Sequence, residues 1–194
     1  FQPREWVTYD GHPVVWEACQ TFSGSWGYHR DEASWKSLDQ LVRMLIDTVS
    51  KGGNLLLNVG PTGRGEFDAR AQERLKGMGD WMRVNSRSIY GCGAAPEEFQ
   101  VPPDCRLTYN PETNRLYVHL LNWPMKHLWL TGTEYFERVE YAQFLHDASE
   151  VQMKGIEPWQ EENSGVQKEG AIGLNLPVQK PDVEIPVIEL YLKD

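Results

Sequence analysis

The sequence has 194 residues, of which 40% are hydrophobic and 24% are charged, as is ordinary for a globular protein of one or two domains. Its formal net charge is −9 and its basic residues are scattered, which argues against nucleic acid or an anionic membrane surface as a partner. No apolar run reaches the roughly eighteen residues of a membrane-spanning helix. Neutral ligands fit this composition better, and the eight Trp and eight Tyr residues suit sugars.

The three cysteines, Cys19, Cys92 and Cys105, are far apart and form no C-x-x-C pair. This spacing predicts neither a metal site nor a dense disulfide framework. A single disulfide bond between Cys92 and Cys105 is the alternative to free thiols.

Residues 1–15 are predicted to form a loop or hairpin, because Asp10-Gly11 is a turn signal and nearby prolines disfavour helix. The chain begins without Met and without a basic-then-apolar leader, so its true N-terminus is expected to be missing. Glu5 follows Pro3 and Arg4 and stands beside Trp6, and Glu17 stands beside Trp16.

A carboxyl group that lies against an indole ring in a poorly hydrated pocket has a raised pKa and can act as a general acid. Glu5 and Glu17 are therefore candidate catalytic residues. The alternative for Glu5 is a solvated loop residue.

Residues 16–28, WEACQTFSGSWGY, are predicted to form a strand that leaves into a loop carrying Trp26 and Tyr28. Apolar residues at helical spacing from Leu38 to Val49 predict a helix, with Ser37 as its cap and Gln40 completing a capping box. The apolar run of residues 54–59 predicts a strand that is covered on both faces.

Asp68 starts a second predicted helix, with Leu75, Met78, Trp81 and Met82 on one face. Gly77 and Gly79 lower its helix propensity but allow close packing. The order helix, buried strand, helix indicates βα units and a parallel sheet, either open or closed into a barrel.

After residues 91–96 the helical periodicity disappears. Six or seven short strands, rich in Leu, Val and Tyr and separated by turns, predict a β-sandwich. Trp123, Trp129 and Trp159 are either core residues of this sandwich or a carbohydrate-binding surface.

Three motifs in this order resemble those of the α-L-fucosidases of glycoside hydrolase family 29. They are WE followed by SWGY in residues 16–28, VSKGGNLLLNVGP in 49–61 and VNSRSIYG in 84–91. The resemblance covers residues 1–91 and implies an α/β region followed by an all-β region. Residues 1–93 would be the C-terminal part of a (β/α)8-like barrel, and residues 94–194 a small antiparallel β-sandwich, whose LYVHLLNWP strand also fits the family.

The resemblance implies a retaining exo-glycosidase, without metal or cofactor, that releases terminal α-L-fucose from oligosaccharides or glycoconjugates. Retention needs two carboxyl groups about 5 Å apart, one as nucleophile and one as acid/base. The family's nucleophile is an Asp in a Trp-x-Asp pattern and a His-His pair contacts the sugar, but this sequence contains neither pattern. The first half of the barrel is therefore expected to be absent and the chain alone to be inactive.

The resemblance implies that the acid/base lies on a variable loop about a dozen residues before the Trp-Glu motif. Glu5 stands twelve residues before Glu17, and is therefore the first choice for this role. Glu17 is the second choice, with a structural carboxylate as its alternative role. Trp26 resembles the aromatic residue that packs against the C6 methyl group of fucose. Tyr28 and His29 lie close enough in sequence to border the pocket, with a rim or packing role as the alternative for each.

The expected partners are a fucosylated glycan and the missing N-terminal half of the barrel. A homo-oligomer is a further alternative. Secreted, periplasmic or lysosomal placement follows only by family analogy. A second hypothesis is a non-catalytic carbohydrate-binding or assembly module derived from a fucosidase.

Overall fold

A computed structural model describes residues 7–155 and 171–193. A short hairpin of Thr8–Tyr9 (β1) and His12–Pro13 (β2) is followed by a βαβ unit. In this unit Trp16–Thr21 (β3) pairs in parallel with Gly53–Asn58 (β4), and Leu38–Val49 (α1) connects the two strands. The predicted helix, strand and parallel pairing are therefore confirmed, as is the hairpin alternative for residues 7–15, the described part of that segment.

The capping box of α1 forms as predicted. The Gln40 backbone N–H donates to Ser37 Oγ at 3.1 Å, and the Ser37 N–H donates to Gln40 Oε1 at 2.9 Å. Gly52 follows the helix with a φ of +72°, a conformation that glycine adopts without a steric penalty.

The prediction that β4 is covered on both faces is wrong for the described residues. Leu56 is 50% exposed, and its neighbours Asn54, Glu17 and Cys19 are exposed as well. Residues paired in register across parallel strands point to the same side, since side chains alternate along a strand. One face of β3 and β4 is thus open, and the other contains the buried Trp16 and Ala18.

The second predicted helix is Ala69–Asn85 (α2), and it continues into a 3₁₀ turn at Ser86–Ser88. Trp81 is buried and Met78 and Met82 pack beside it, but Leu75 is 39% exposed, so its assignment to the packing face is wrong. Gly77 makes the predicted close approach, because a Cβ there would lie 2.7 Å from a Leu38 methyl carbon. The same prediction for Gly79 is wrong, because a Cβ there would meet no atom within 4 Å.

The remainder of the described chain consists mainly of antiparallel strands in two sheets. Both sheets contribute to one apolar core, in which Val118 and Leu190 of the larger sheet join Leu130 and Leu174 of the smaller sheet. Two antiparallel sheets around one core are the arrangement that the sequence predicted. The elements of this part are Gly93–Ala94 (β5), Cys105–Asn110 (β6), Arg115–Leu120 (β7), His127–Leu130 (β8), Thr133–Arg138 (α3), Val139–Phe144 (β9), Gln152–Gly155 (β10), Ile172–Asn175 (β11) and Val187–Leu192 (β12). The larger sheet has the strand order β5-β6-β7-β12-β9, and the smaller sheet has the order β10-β11-β8.

The helices pack against this β-sandwich through a second apolar cluster, which includes Ile46, Trp81 and Val187. Trp81 Nε1 also donates to the Ile185 carbonyl at 3.0 Å. At the edge of the contact, Arg87 Nη2 lies 2.8 Å from Oε2 of Glu189, which is only 2% exposed.

Candidate functional site

The loop after β3 carries two exposed aromatic residues at the carboxyl end of the strand. Trp26 is 59% exposed and Tyr28 is 37% exposed. The loop closes on itself, because the Lys36 backbone N–H donates to the Phe22 carbonyl at 2.9 Å. Lys36 Nζ also donates to the Thr21 carbonyl at 2.6 Å. The aromatic pair is therefore held at the strand end by its own loop.

The end of β4 holds the same loop from the other side. Asn58 Nδ2 donates to the Trp26 carbonyl at 2.6 Å. Gly60 lies so close to the loop that a Cβ there would be 2.5 Å from the Tyr28 nitrogen and 2.6 Å from the Gly27 carbonyl carbon. The Asn58 side chain thus binds a backbone carbonyl at the rim of the sheet. The role of Gly60 was not predicted.

The Glu32 carboxylate fastens the middle of the loop. Its Oε1 accepts from the Ser34 hydroxyl at 2.6 Å and from the Ser34 N–H at 2.8 Å, and its Oε2 accepts from the Ser25 hydroxyl at 2.8 Å. These hydrogen bonds, above all that from the Ser34 hydroxyl, lower the pKa of Glu32 to about 2. Glu32 is therefore ionised at neutral pH.

Helix α2 holds the far end of the loop through Arg70. The Arg70 guanidinium donates to the carbonyls of Glu32 at 3.0 Å and Arg30 at 3.1 Å, and its carbon lies 4.8 Å from the centre of the Trp35 ring. Asp68 orients it at 2.8 Å, and the hydrogen bond from Arg70 lowers the pKa of Asp68 to about 2. Sequence reasoning missed Glu32 and Arg70, because no local spacing indicates which carbonyls they bind.

The structure places the predicted site residues unevenly. Trp26 and Tyr28 lie together on one loop, as expected. Glu5 and Trp159 lie outside the described residues. Glu17 is exposed on β3, opposite Asn54 in the strand register.

The prediction that Glu17 lies against the Trp16 indole is wrong. The Trp16 ring is buried over Gly53 on the other face of the sheet, and its Nε1 donates to the Lys51 carbonyl at 3.1 Å. Neighbouring residues of a strand point to opposite faces, so the two side chains diverge. Glu17 is also four residues before Thr21, the last residue of β3, and at roughly 3.3 Å per residue it lies about 13 Å from the end that carries the loop.

Within the described residues, no group of three His, Cys, Asp or Glu side chains is placed to hold a metal ion. The three cysteines are unpaired. Burial raises the pKa of the thiols of Cys92 and Cys105 to about 12, which makes them poor nucleophiles at neutral pH. Among the described helices, none combines the length and the apolar composition that crossing a membrane requires.

Comparison with known proteins gives one consistent result. The sequence model of the family described as "Alpha-L-fucosidase" matches residues 3–87. The plasma alpha-L-fucosidase of Rattus norvegicus is 40% identical over 121 residues, which are 59% of this chain and 26% of that protein.

Two solved structures extend the likeness beyond the family match. Alpha-L-fucosidase isoenzyme 1 from Paenibacillus thiaminolyticus is 37% identical with a TM-score of 0.88, over 100% of this chain and 44% of that one. The Thermotoga maritima alpha-fucosidase in complex with a mechanism-based inhibitor is 27% identical with a TM-score of 0.74, over 95% and 41%. The chain thus spans about a quarter of the rat protein and less than half of either solved chain.

Proposed function

Since this chain belongs to the α-L-fucosidase family, we propose that it is the C-terminal part of a retaining exo-glycosidase that releases terminal α-L-fucose from oligosaccharides or glycoconjugates. Residues 1–93 then form the last part of a (β/α)8-like catalytic barrel, and residues 94–194 a β-sandwich domain. The observation that carries the proposal is the exposed pair Trp26 and Tyr28, which is fastened at the carboxyl ends of two parallel strands. Barrel enzymes carry their active sites at this end of their strands.

Trp26 is the residue that selects the sugar. Its exposed indole offers an apolar surface, and fucose differs from most hexoses in having a methyl group at C6. Burying one methyl group contributes about 1 kcal/mol, so this contact favours the deoxy sugar over its hydroxylated counterpart. Tyr28 borders the same pocket.

The open face of β3 and β4 supports the view that further strands complete the barrel. Among the described residues these two strands pair only with each other, and Leu56 is half exposed between them. Unpaired edges are unfavourable in a sheet, and parallel sheets are normally covered on both faces. In our proposal the N-terminal half of the barrel, from outside this sequence, covers them and supplies the nucleophilic Asp.

Glu5 is the proposed acid/base, and Glu17 is the second candidate. In this role the carboxyl group protonates the leaving oxygen and then activates water. The distance of Glu17 from the strand end that carries the loop favours Glu5, and leaves Glu17 the role of a structural carboxylate beside Asn54.

The test is the hydrolysis of 4-nitrophenyl α-L-fucoside by two proteins, the 194-residue chain and the longer product of its gene. We expect no turnover by the chain alone and turnover by the longer protein, since a glycosidase without its nucleophile cannot form the covalent intermediate. Turnover by the chain alone would show that the nucleophile lies within it. No turnover by either protein would instead favour a non-catalytic carbohydrate-binding or assembly module.

In the longer protein, Glu5→Gln is expected to lower kcat by 10²–10⁴-fold and to remove the alkaline limb of the pH–rate profile, because that limb reports the deprotonation of the general acid. Glu17→Gln is the matched control and should keep the limb. The reverse pattern would assign the role to Glu17.

A further inference from the structure

A pocket of about 440 Å³ opens on the β-sandwich. It lies between the start of β6, the segment after β7 and strand β8, and none of its lining residues belongs to the loop that carries Trp26. Its volume is within the range of ligand pockets, roughly 300–1,000 Å³. It is therefore large enough for a small ligand and separate from the proposed catalytic site.

Two indole rings form the apolar walls of the pocket, and each packs against a neighbouring residue of the β-sandwich. Trp129 is half-buried over Gly173, where a Cβ would come within 2.6 Å of the ring. Trp123 stacks on Phe144, with ring centres 6.2 Å apart and an interplanar angle of 27°. The His127 ring lies 5.9 Å from that of Trp129. These flat surfaces are pre-organised, so a ligand would not have to order them.

The rim supplies polar groups that the described part of the chain leaves without hydrogen bonds. The side chains of Asn122 and Asp104 line the pocket and make no hydrogen bond to any described residue. Both side chains are exposed, so the hydroxyl groups of a ligand can replace water as their hydrogen-bond partners.

We propose that this pocket is a second carbohydrate-binding site, which takes a neutral oligosaccharide. A pyranose ring has an apolar face of C–H groups and a rim of hydroxyl groups. The indoles match the face, and Asn122, Asp104 and His127 match the hydroxyls. The Asp104 carboxylate and the net charge of −9 disfavour sialylated or sulfated glycans. The proposed site binds glycan and takes no part in hydrolysis, so the proposal does not depend on the proposed activity.

The test probes the 194-residue chain on an array of neutral oligosaccharides that end in galactose, glucose, N-acetylglucosamine or fucose, beside their sialylated forms. Calorimetry then gives the dissociation constant for the strongest neutral glycan. Trp129→Ala is expected to weaken binding at least tenfold and Trp129→Phe less. Asn122→Ala is expected to weaken binding about threefold without changing the unfolding midpoint, because it removes no hydrogen bond within the described chain.

Tyr90→Ala is the matched control, since it removes an exposed aromatic ring that lines neither the pocket nor the β3 loop. Unchanged binding in this variant, together with loss in Trp129→Ala and Asn122→Ala, supports the proposal. Loss in Trp26→Ala with unchanged binding in Trp129→Ala and Asn122→Ala would place the sugar at the β3 loop and overturn it. So would binding to none of the neutral glycans, or preference for the sialylated forms.

Discussion

Replacing Gly60 by alanine should loosen the loop that carries Trp26 and Tyr28. Gly60 follows β4, and a methyl group there would lie 2.5 Å from the Tyr28 nitrogen and 2.6 Å from the Gly27 carbonyl carbon. Both contacts are backbone atoms, so no side-chain rotation relieves them. The loop itself must move.

The size of the effect follows from the distances. Ordinary contact begins near 3.4 Å, so the loop has to recede by about 0.9 Å, which is an overpacking effect of about 1–3 kcal/mol. A shift of this size would also take the 2.6 Å hydrogen bond from Asn58 to the Trp26 carbonyl to the limit of hydrogen bonding. Its loss adds about 1 kcal/mol.

Hydrogen exchange of residues 22–34 measures this local loosening, and urea unfolding measures the global loss. We expect exchange in the loop to accelerate at least fivefold, as about 1 kcal/mol of local stability corresponds to that factor. Gly63→Ala is the control, because a Cβ at Gly63 meets no atom within 4 Å. The same substitution type also cancels the effect of alanine on the unfolded chain. Equal exchange in the two variants would refute the steric argument.

Two further predictions concern the β-sandwich and its contact with the helices. Burial lowers the pKa of His119 to about 3, so the unfolded chain binds a proton below about pH 6.5 that the folded chain excludes. The free energy of unfolding should therefore fall as pH falls, and this residue alone should lower it by about 2 kcal/mol at pH 5. When urea unfolding is measured as a function of pH, His119→Gln should lose less stability on acidification by that amount. An unchanged dependence of stability on pH would contradict the assignment. Arg87→Met should lower the free energy of unfolding by about 1–2 kcal/mol, because it leaves the buried Glu189 carboxylate without its ion-pair partner. Arg30→Met, which removes an exposed ion pair, should lower it by less than about 0.5 kcal/mol. Equal losses in the two variants would contradict a special role for the Arg87 pair.

The elements near the site could be predicted because their signals are local. The capping box of Ser37 and Gln40 lies within four residues, and the apolar spacing of α1 defines its buried face without reference to the rest of the chain. The parallel pairing of β3 with β4 followed from the order of the elements, because a helical connection places consecutive strands side by side.

The errors concern residues whose environment depends on distant neighbours. Leu56 and Leu75 are apolar in sequence but exposed in the structure, because nothing in the described chain covers them. The orientation of Glu17 could have been predicted, since alternation along a strand separates it from Trp16. The bonds from Arg70 to the carbonyls of Arg30 and Glu32 span about forty residues and depend on how α2 docks, so no sequence pattern reveals them.

The carboxylates that contact the loop constrain the chemistry of the proposed site. Glu32 and Asp68 both have a pKa of about 2, and a general acid near neutral pH must instead keep its proton. Both also hold the loop through hydrogen bonds, which proton uptake would break. Glu17 lies about 13 Å along β3 from the end that carries the loop, which favours Glu5 over Glu17 for this role. If the site hydrolyses fucosides, neither Glu32 nor Asp68 is suited to be its general acid, so Glu5 is the first residue to substitute and Glu17 the second.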